Sequence, residues 1–314
     1  MDSASSFAAF FERTFTPLFL AGASPRTFAA YAETFRHWRR IVGEISLGLV
    51  DTVTLAKFRD GLVSRRLSPA TVNKHLRHVN HVLGKAGPAG PRNRDALGVL
   101  PRCPWVKSLK LLRRRPHVVD FVALSAAYEA ARFARWPRFD ECETASGLQA
   151  RDWWRGLYVV AYTTAFRREA LFALGWDDVD VAGAIVRLPA EHDKCGVERI
   201  KPLHRVAIAH LLRIRTAKPQ ALLFAWPHGW KRFYAEWHAI QDMAGSVRKD
   251  HFTLHDLKRT AGTELSGDAS PWVVQQMLDH SSINTSKHYV NAAKQLRPAV
   301  DHMPMPEAFL RGIS

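Results

Sequence analysis

Three Ser-Pro dipeptides, Ser24-Pro25, Ser68-Pro69 and Ser270-Pro271, constrain this chain more than any other feature. A serine side chain can accept from a free N–H of a helix's first turn. Proline's fixed φ and missing N–H suit the first helical position, so each pair predicts a helix start. After Pro25, Phe28, Tyr31, Phe35, Trp38 and Val42 recur at three- and four-residue steps, and Gly43 supplies a stop. After Pro69 the stripe is Val72, Leu76, Val79 and Leu83, with Lys74, Arg77, His78, His81 and Lys85 on other faces. Residues 54–64, with Leu55, Phe58 and Leu62, predict a helix between them, and Trp272, Val273, Val274, Met277 and Leu278 predict one after Pro271. The first 86 residues therefore predict a small basic helical bundle.

Residues 84–119 change character: "GKAGPAGPRNRDALGVLPRCPW" is dense in Gly and Pro, and "KSLKLLRRRPH" adds a cationic run. Breakers at this density predict a linker, and Arg113, Arg114 and Arg115 are candidate phosphate contacts within it. From about residue 120 a second domain is expected. Leu157–Ala173 reads as an apolar helix or helix pair carrying Arg167 and Arg168. Ile185–Leu188 and Glu198–Leu203 should pair as short strands, with Lys194, Cys195 and Gly196 in a turn at one end. Helical patterns resume after Val206 and near residue 254. The fold class expected is mostly α with a small antiparallel β-sheet. Its parts are a helical domain (1–86), a basic linker (87–119), an α+β domain (120–292) and a tail (293–314).

The 314-residue chain carries a net charge of +16. Residues 1–115 hold 20 Lys and Arg against 7 Asp and Glu, the remainder 25 against 22. A net +13 in the first third against +3 beyond it predicts one region that grips a polyanion and another that holds a local site. Nucleic acid is the first candidate, because neutralising phosphates releases counterions. Cys103, Cys142 and Cys195 are isolated, so neither a disulfide framework nor a CxxC metal pair is expected, and a reducing cytosol is. "DSASSF" after Met1 is unlike a signal peptide, and no apolar run approaches the roughly 18–20 residues needed to span a bilayer. A cytoplasmic, nucleoid-associated protein without membrane contact is expected.

Phosphate-binding residue types recur in order: Arg167, Lys194, His255, Lys258 and His280, then Tyr289 nine residues later. On these residues the chain resembles the tyrosine recombinase, or phage integrase, family in its simple two-domain, Xer-like form. "TAFRREALFALGWDDVD" (164–180) is similar to the family's first arginine box, "HDLKRT" (255–260) to its second, and "QQMLDHSSINTSKHY" (275–289) to its closing box. "SPATVNKHLRHVNHVLGKAG" (68–87) resembles the last helix of its SAM-like core-binding domain.

The resemblance implies DNA strand cutting and rejoining through a 3′-phosphotyrosine on Tyr289. Charge building on the phosphate oxygens needs preorganised cations. Arg167 offers a bidentate fork. Lys194 is expected to act as general acid on the leaving 5′ oxygen. His255, sharing a helix face with Lys258, is expected to bind the phosphate or shuttle a proton, and His280 to donate a hydrogen bond to the phosphate. Two departures stand out. Lys258 occupies a position where the family usually has arginine, with Arg259 an alternative cation; and Ala170 stands where it commonly has an acid. Arg168 and Asp256 are expected to be structural, Asp256 through a capping pair with Thr253.

No cofactor is implied. There is no G-x-x-x-x-G-K-[ST] loop, and His251 and His255, four apart, lack the glutamate of an H-E-x-x-H motif. His75, His78 and His81 predict a DNA-facing or solvated edge rather than a metal site. Lys74, Arg77 and His81 are the candidate DNA contacts of the first domain. The partners implied are double-stranded DNA and a homo-tetramer on two sites, with an accessory or direction factor optional. Residues 293–314 are expected to dock on a neighbour, and no arm-binding domain is expected before residue 7. The competing readings are a DNA-binding protein that has lost strand exchange and a type IB topoisomerase-like enzyme.

Overall fold

The structure, a computed structural model, describes residues 5–91, 93–112, 117–138, 149–215, 222–279, 297 and 300–311. The chain divides into two compact units, Met1–Arg114 and Arg115–Ser314.

The first unit is helical. Helix α1 (Phe7–Phe10), a π-helical turn (Phe11–Phe15) and α2 (Thr16–Phe19) precede α3 (Pro25–Ile41), α4 (Thr52–Ser64) and α5 (Pro69–Ala86). The predicted starts are in place: Ser24 Oγ accepts from Thr27 N and Ser68 Oγ from Thr71 N, each at 3.2 Å. Tyr31, Phe35 and Trp38 are buried with Leu55, Phe58, Leu62, Val72, Leu76 and Val79. Phe28, expected on the same stripe, is instead 48% exposed. The place beside Phe35 is taken by Phe11, whose ring stacks on it with centroids 3.9 Å apart.

The segment expected to link the domains is packed onto this unit as far as Leu109. Leu97, Gly98 and Leu100 donate backbone bonds to Lys85, Gly87 and Ala86 (2.8–2.9 Å). The Asn73 side chain pairs with both backbone groups of Leu109, and Leu100 and Val106 are buried. One glycine of this segment serves a close approach: a Cβ on Gly87 would collide with Cys103 Sγ. Arg113, Arg114 and Arg115 lie outside the described residues.

The second unit comprises α6 (Phe121–Ala130), α7 (Ala150–Thr164), α8 (Arg168–Leu171), α9 (Arg205–Ile214), α10 (Trp230–Met243), α11 (Leu254–Asp268) and α12 (Pro271–Met277). Between α8 and α9 lies an antiparallel sheet in the order β1 (Val179–Asp180), β2 (Ile185–Leu188), β3 (Arg199–Pro202). The predicted hairpin is β2–β3, with Leu188 opposite Arg199 and Ile185 opposite Pro202. Helices α6 and α10 are not anticipated by the sequence reading. Helix α7 is the centre of the core, with Trp153, Trp154, Leu157, Tyr158 and Tyr162 all buried.

The tail expected to dock on a neighbour is built into its own unit where it is described. Val300, Met303, Ala308 and Phe309 are buried in the second core, and Tyr162 donates to Pro304 O at 3.0 Å. Among the described residues no helix is long and apolar enough to cross a membrane.

Candidate active site

The site is built on the end of α7. That helix stops at Ala165, which takes a left-handed φ of 51°, a conformation costing an L-residue roughly 1–2 kcal/mol. The last carbonyls of a helix lack intrahelical partners and carry partial negative charge. Two lysines meet that need: Lys201 Nζ donates to Thr164 O at 2.9 Å and Lys258 Nζ to Ala165 O at 2.8 Å. The break also turns the chain so that Arg167, two residues on, sits extended at the start of α8. The helix or helix pair expected over Leu157–Ala173 is therefore two helices, with Arg167 at the joint.

A second turn faces the first. Helix α12 ends at Met277, and Asp279 follows with φ of 52°. Lys201 Nζ donates to Met277 O at 2.7 Å and Asp279 Oδ2 at 3.0 Å, which with Thr164 O uses all three of its protons. Lys258 Nζ lies 3.6 Å from the same Oδ2. Arg167 donates to the backbone carbonyl of Asp279 at 3.3 Å. Lys201, Lys258 and Asp279 are only 1%, 3% and 4% exposed.

Burial alone would raise the Asp279 carboxyl; Lys201 and Lys258 outweigh it and hold the acid below its ordinary value. Burial pulls Lys201 down, opposed by Asp279. Lys258 is pulled down to about 7, first by burial and then by the charge of Lys201, with Asp279 acting against both.

Helix α11 supplies the remaining groups. Thr253 and Asp256 form the predicted capping box: Asp256 N donates to Thr253 Oγ1 at 3.3 Å, and Thr253 N to Asp256 Oδ2 at 2.9 Å. His255 therefore stands exposed in the first turn. Burial, then Arg259, lowers its pKa, so the imidazole is neutral near pH 7. Lys258 faces inward one turn later. Arg259 is exposed, with its guanidinium 3.4 Å from Asp256. Of the two alternative cations, Lys258 lies 3.6 Å from Asp279 and Arg259 pairs with Asp256.

The other sequence candidates are dispersed. Lys194 is exposed in the β2–β3 connection, where Gly196 (φ 66°) closes a turn onto Asp193 O at 3.0 Å. Among the described residues it makes no ion pair with the α7 end. His280 and Tyr289 lie outside the described residues. Arg168 is structural as expected, stacked over Trp230 at 4.4 Å and donating to Tyr234 Oη at 2.7 Å. Ala170 is buried, and Arg167 donates to the carbonyl of Asp279. His251 Nε2 lies 3.0 Å from Asp242 Oδ1. In the first unit, Lys74 pairs with Glu33 at 3.0 Å, Arg77 is exposed, and His81 Nδ1 lies 2.7 Å from Tyr31 Oη. The solvated histidine edge is corrected at His75, which is wholly buried.

Sequence reading missed Lys201 and Asp279. A lysine inside the strand "RIKPL" was the one available sign, since a cation in a buried strand needs a partner.

Among curated relatives, residues of this chain are 33% identical over 141 residues to tyrosine recombinase XerC of Corynebacterium efficiens, covering 43% of this chain and 44% of that protein. They are 31% identical over 152 residues to tyrosine recombinase XerD of Staphylococcus aureus, covering 45% and 50%. The chain thus spans about half the length of the curated relatives it matches. Among solved structures, lambda integrase bound to DNA superposes with a TM-score of 0.64 at 17% identity, over 92% of this chain and 97% of that one. The Tn1549 transposon integrase in complex with circular intermediate DNA gives 0.65 at 13%, over 92% and 98%. These likenesses carry the fold. The Phage integrase family model matches residues 140–296, half of the chain. That stretch contains both turns and every candidate catalytic residue, and on it this protein belongs to the phage integrase, or tyrosine recombinase, family.

Proposed function

We propose that this chain is a site-specific DNA recombinase that cuts and rejoins strands through a 3′-phosphotyrosine. The observation that carries the reading is the convergence of Arg167 and Lys258, 91 positions apart in sequence, on the turn immediately before His280. Tyr289 Oη passes its phenolic proton to His255 and attacks the scissile phosphorus. The P–O5′ bond breaks, and the 5′ oxygen leaves as a hydroxyl after taking a proton from Lys194. Arg167, His255, Lys258 and His280 hold the nonbridging oxygens. Attack by the 5′ hydroxyl of another strand reverses these steps and releases the tyrosine. The bond energy stays in the phosphotyrosine, so no nucleotide cofactor is consumed.

The domain division at 86, 119 and 292 remains part of this reading, with Lys74, Arg77 and His81 touching DNA. Lambda integrase has been captured as a tetramer bound to a Holliday junction. One attacking tyrosine, Tyr289, per chain and four strands to cut favour a tetramer here too, with an accessory or direction factor as an optional partner. A cytoplasmic, nucleoid-associated location fits the charge.

A second reading, a DNA-binding protein that has lost strand exchange, draws on Lys258. Its ammonium is already bonded to Ala165 O and its pKa is pushed to about 7. Nicked suicide substrates made from genomic fragments separate the two. The enzyme gives a covalent adduct that maps to Tyr289 and vanishes in Tyr289→Phe; sequencing the trapped DNA then gives the target. Tight binding with no adduct on a verified site establishes the second reading, and sequence-independent relaxation without a tetramer would favour a topoisomerase.

A further inference from the structure

Helices α3 and α5 of the first unit carry a side-chain cluster that DNA cutting does not use. Glu33 and His37 are one turn apart on α3, and His75 projects from α5; one ligand atom of each lies within 4.8 Å of the others. His75 is wholly buried, and its Nε2 makes no hydrogen bond among the described residues; nor does the buried Nδ1 of His37. Leaving such atoms unpaired is costly in a core.

The protons can be placed. Thr34 Oγ1 donates to Ala30 O at 3.1 Å, so its lone pairs accept from Nδ1–H of His75 at 2.8 Å and of His78 at 2.7 Å. That fixes His75 with a lone pair on Nε2. A buried neutral imidazole whose other nitrogen is anchored to a hydroxyl is the arrangement of a metal-bound histidine with its outer partner. Glu33 is held through Oε2 by Lys74 at 3.0 Å, leaving Oε1 for a cation.

We infer that Glu33, His37 and His75 form a binding site for a divalent transition ion of the zinc class, clamping α3 to α5. Two imidazoles and one carboxylate make a zinc ligand set with a fourth position open to water. Tetrahedral bonds near 2.0–2.1 Å place ligands about 3.3 Å apart, so the cluster closes by about 1.5 Å. Glu33 and His37, both only half-buried, supply that movement by rotating their side chains. The sequence reading takes His75, His78 and His81 as one DNA-facing or solvated edge, whereas this cluster draws its ligands from two helices.

The test uses the full chain stripped with chelator, titrated with Zn(II) against a chromogenic competitor, and with Co(II) followed by absorption. One equivalent should bind and raise the unfolding midpoint. His37→Ala and Glu33→Gln, at half-buried positions and checked for helix content, should lose both the equivalent and the shift. Thr34→Val should weaken zinc about 10–100-fold through its outer-partner role, with Thr34→Ser restoring it. No binding by the wild type, or equal binding by wild type and the α3 variants, overturns the site. Because metal binding is read without DNA, the result is independent of whether strand cutting is observed.

Discussion

The two units treat positive charge in opposite ways. Residues 1–115 hold a net +13, and the cations described there, such as Arg77, stand at the surface. The rest of the chain is nearly balanced, yet it takes Lys201 and Lys258 into its interior against a single carboxylate. Counting charge thus finds where a polyanion would be gripped; it says nothing about where its backbone would be cut. For the second task the location of a cation matters more than the number, because a charge out of water interacts more strongly and reorganises less.

That contrast can be broken most severely at Lys201. Removing one partner of a buried ion pair costs about 3–5 kcal/mol, so Lys201→Met should lower the unfolding free energy by that order in denaturant titration. Adding Asp279→Asn should recover much of the loss; a double variant as unstable as the single one would mean that the charges are not coupled. Next, Arg167→Ala should cut covalent adduct formation about 10²–10³-fold, the scale of one preorganised donor, while DNA affinity by gel shift barely changes. Comparable losses in both would move Arg167 to the gripping side of the comparison.

Lys258 adds a pH signature. Its ammonium titrates near 7 in the folded protein against an ordinary 10.5. The unfolded chain thus holds more protons between those values, and stability rises with pH across that window. The charged fraction falls over the same range, so single-turnover cleavage should decline above pH 7, each further unit removing about nine-tenths of the remaining ammonium. Lys258→Arg should flatten the profile. The smallest effect belongs to the first unit: Arg77→Gln should weaken binding to all sequences alike and reduce the salt slope by about 1.

Most of the fold was legible because its signals are local. A serine before a proline and a three-four apolar stripe predicted α3, α5 and α12, and two short strands flanking the turn at Lys194, Cys195 and Gly196 predicted the β2–β3 hairpin. Position 28 failed because the place beside Phe35 is filled by Phe11, a contact between helices that periodicity on one helix cannot register. Gly87 reads as a breaker, and periodicity cannot register that Cys103 is pressed against it or that the stretch after it packs onto the first unit as far as Leu109. In the site, Arg167, His255 and Lys258 were named from the resemblance to the family's boxes. Lys201 and Asp279 were not, since their meaning lies in a pairing 78 positions apart.

The bond from Arg167 to the Asp279 carbonyl carries a consequence of its own. A guanidinium has five N–H groups, and this contact engages one nitrogen at 3.3 Å. The remaining donors leave the arginine able to hold a phosphate without releasing the peptide that leads into the histidine and the tyrosine. Substrate capture and nucleophile delivery would then share one mooring, and slack on either line would be felt on the other.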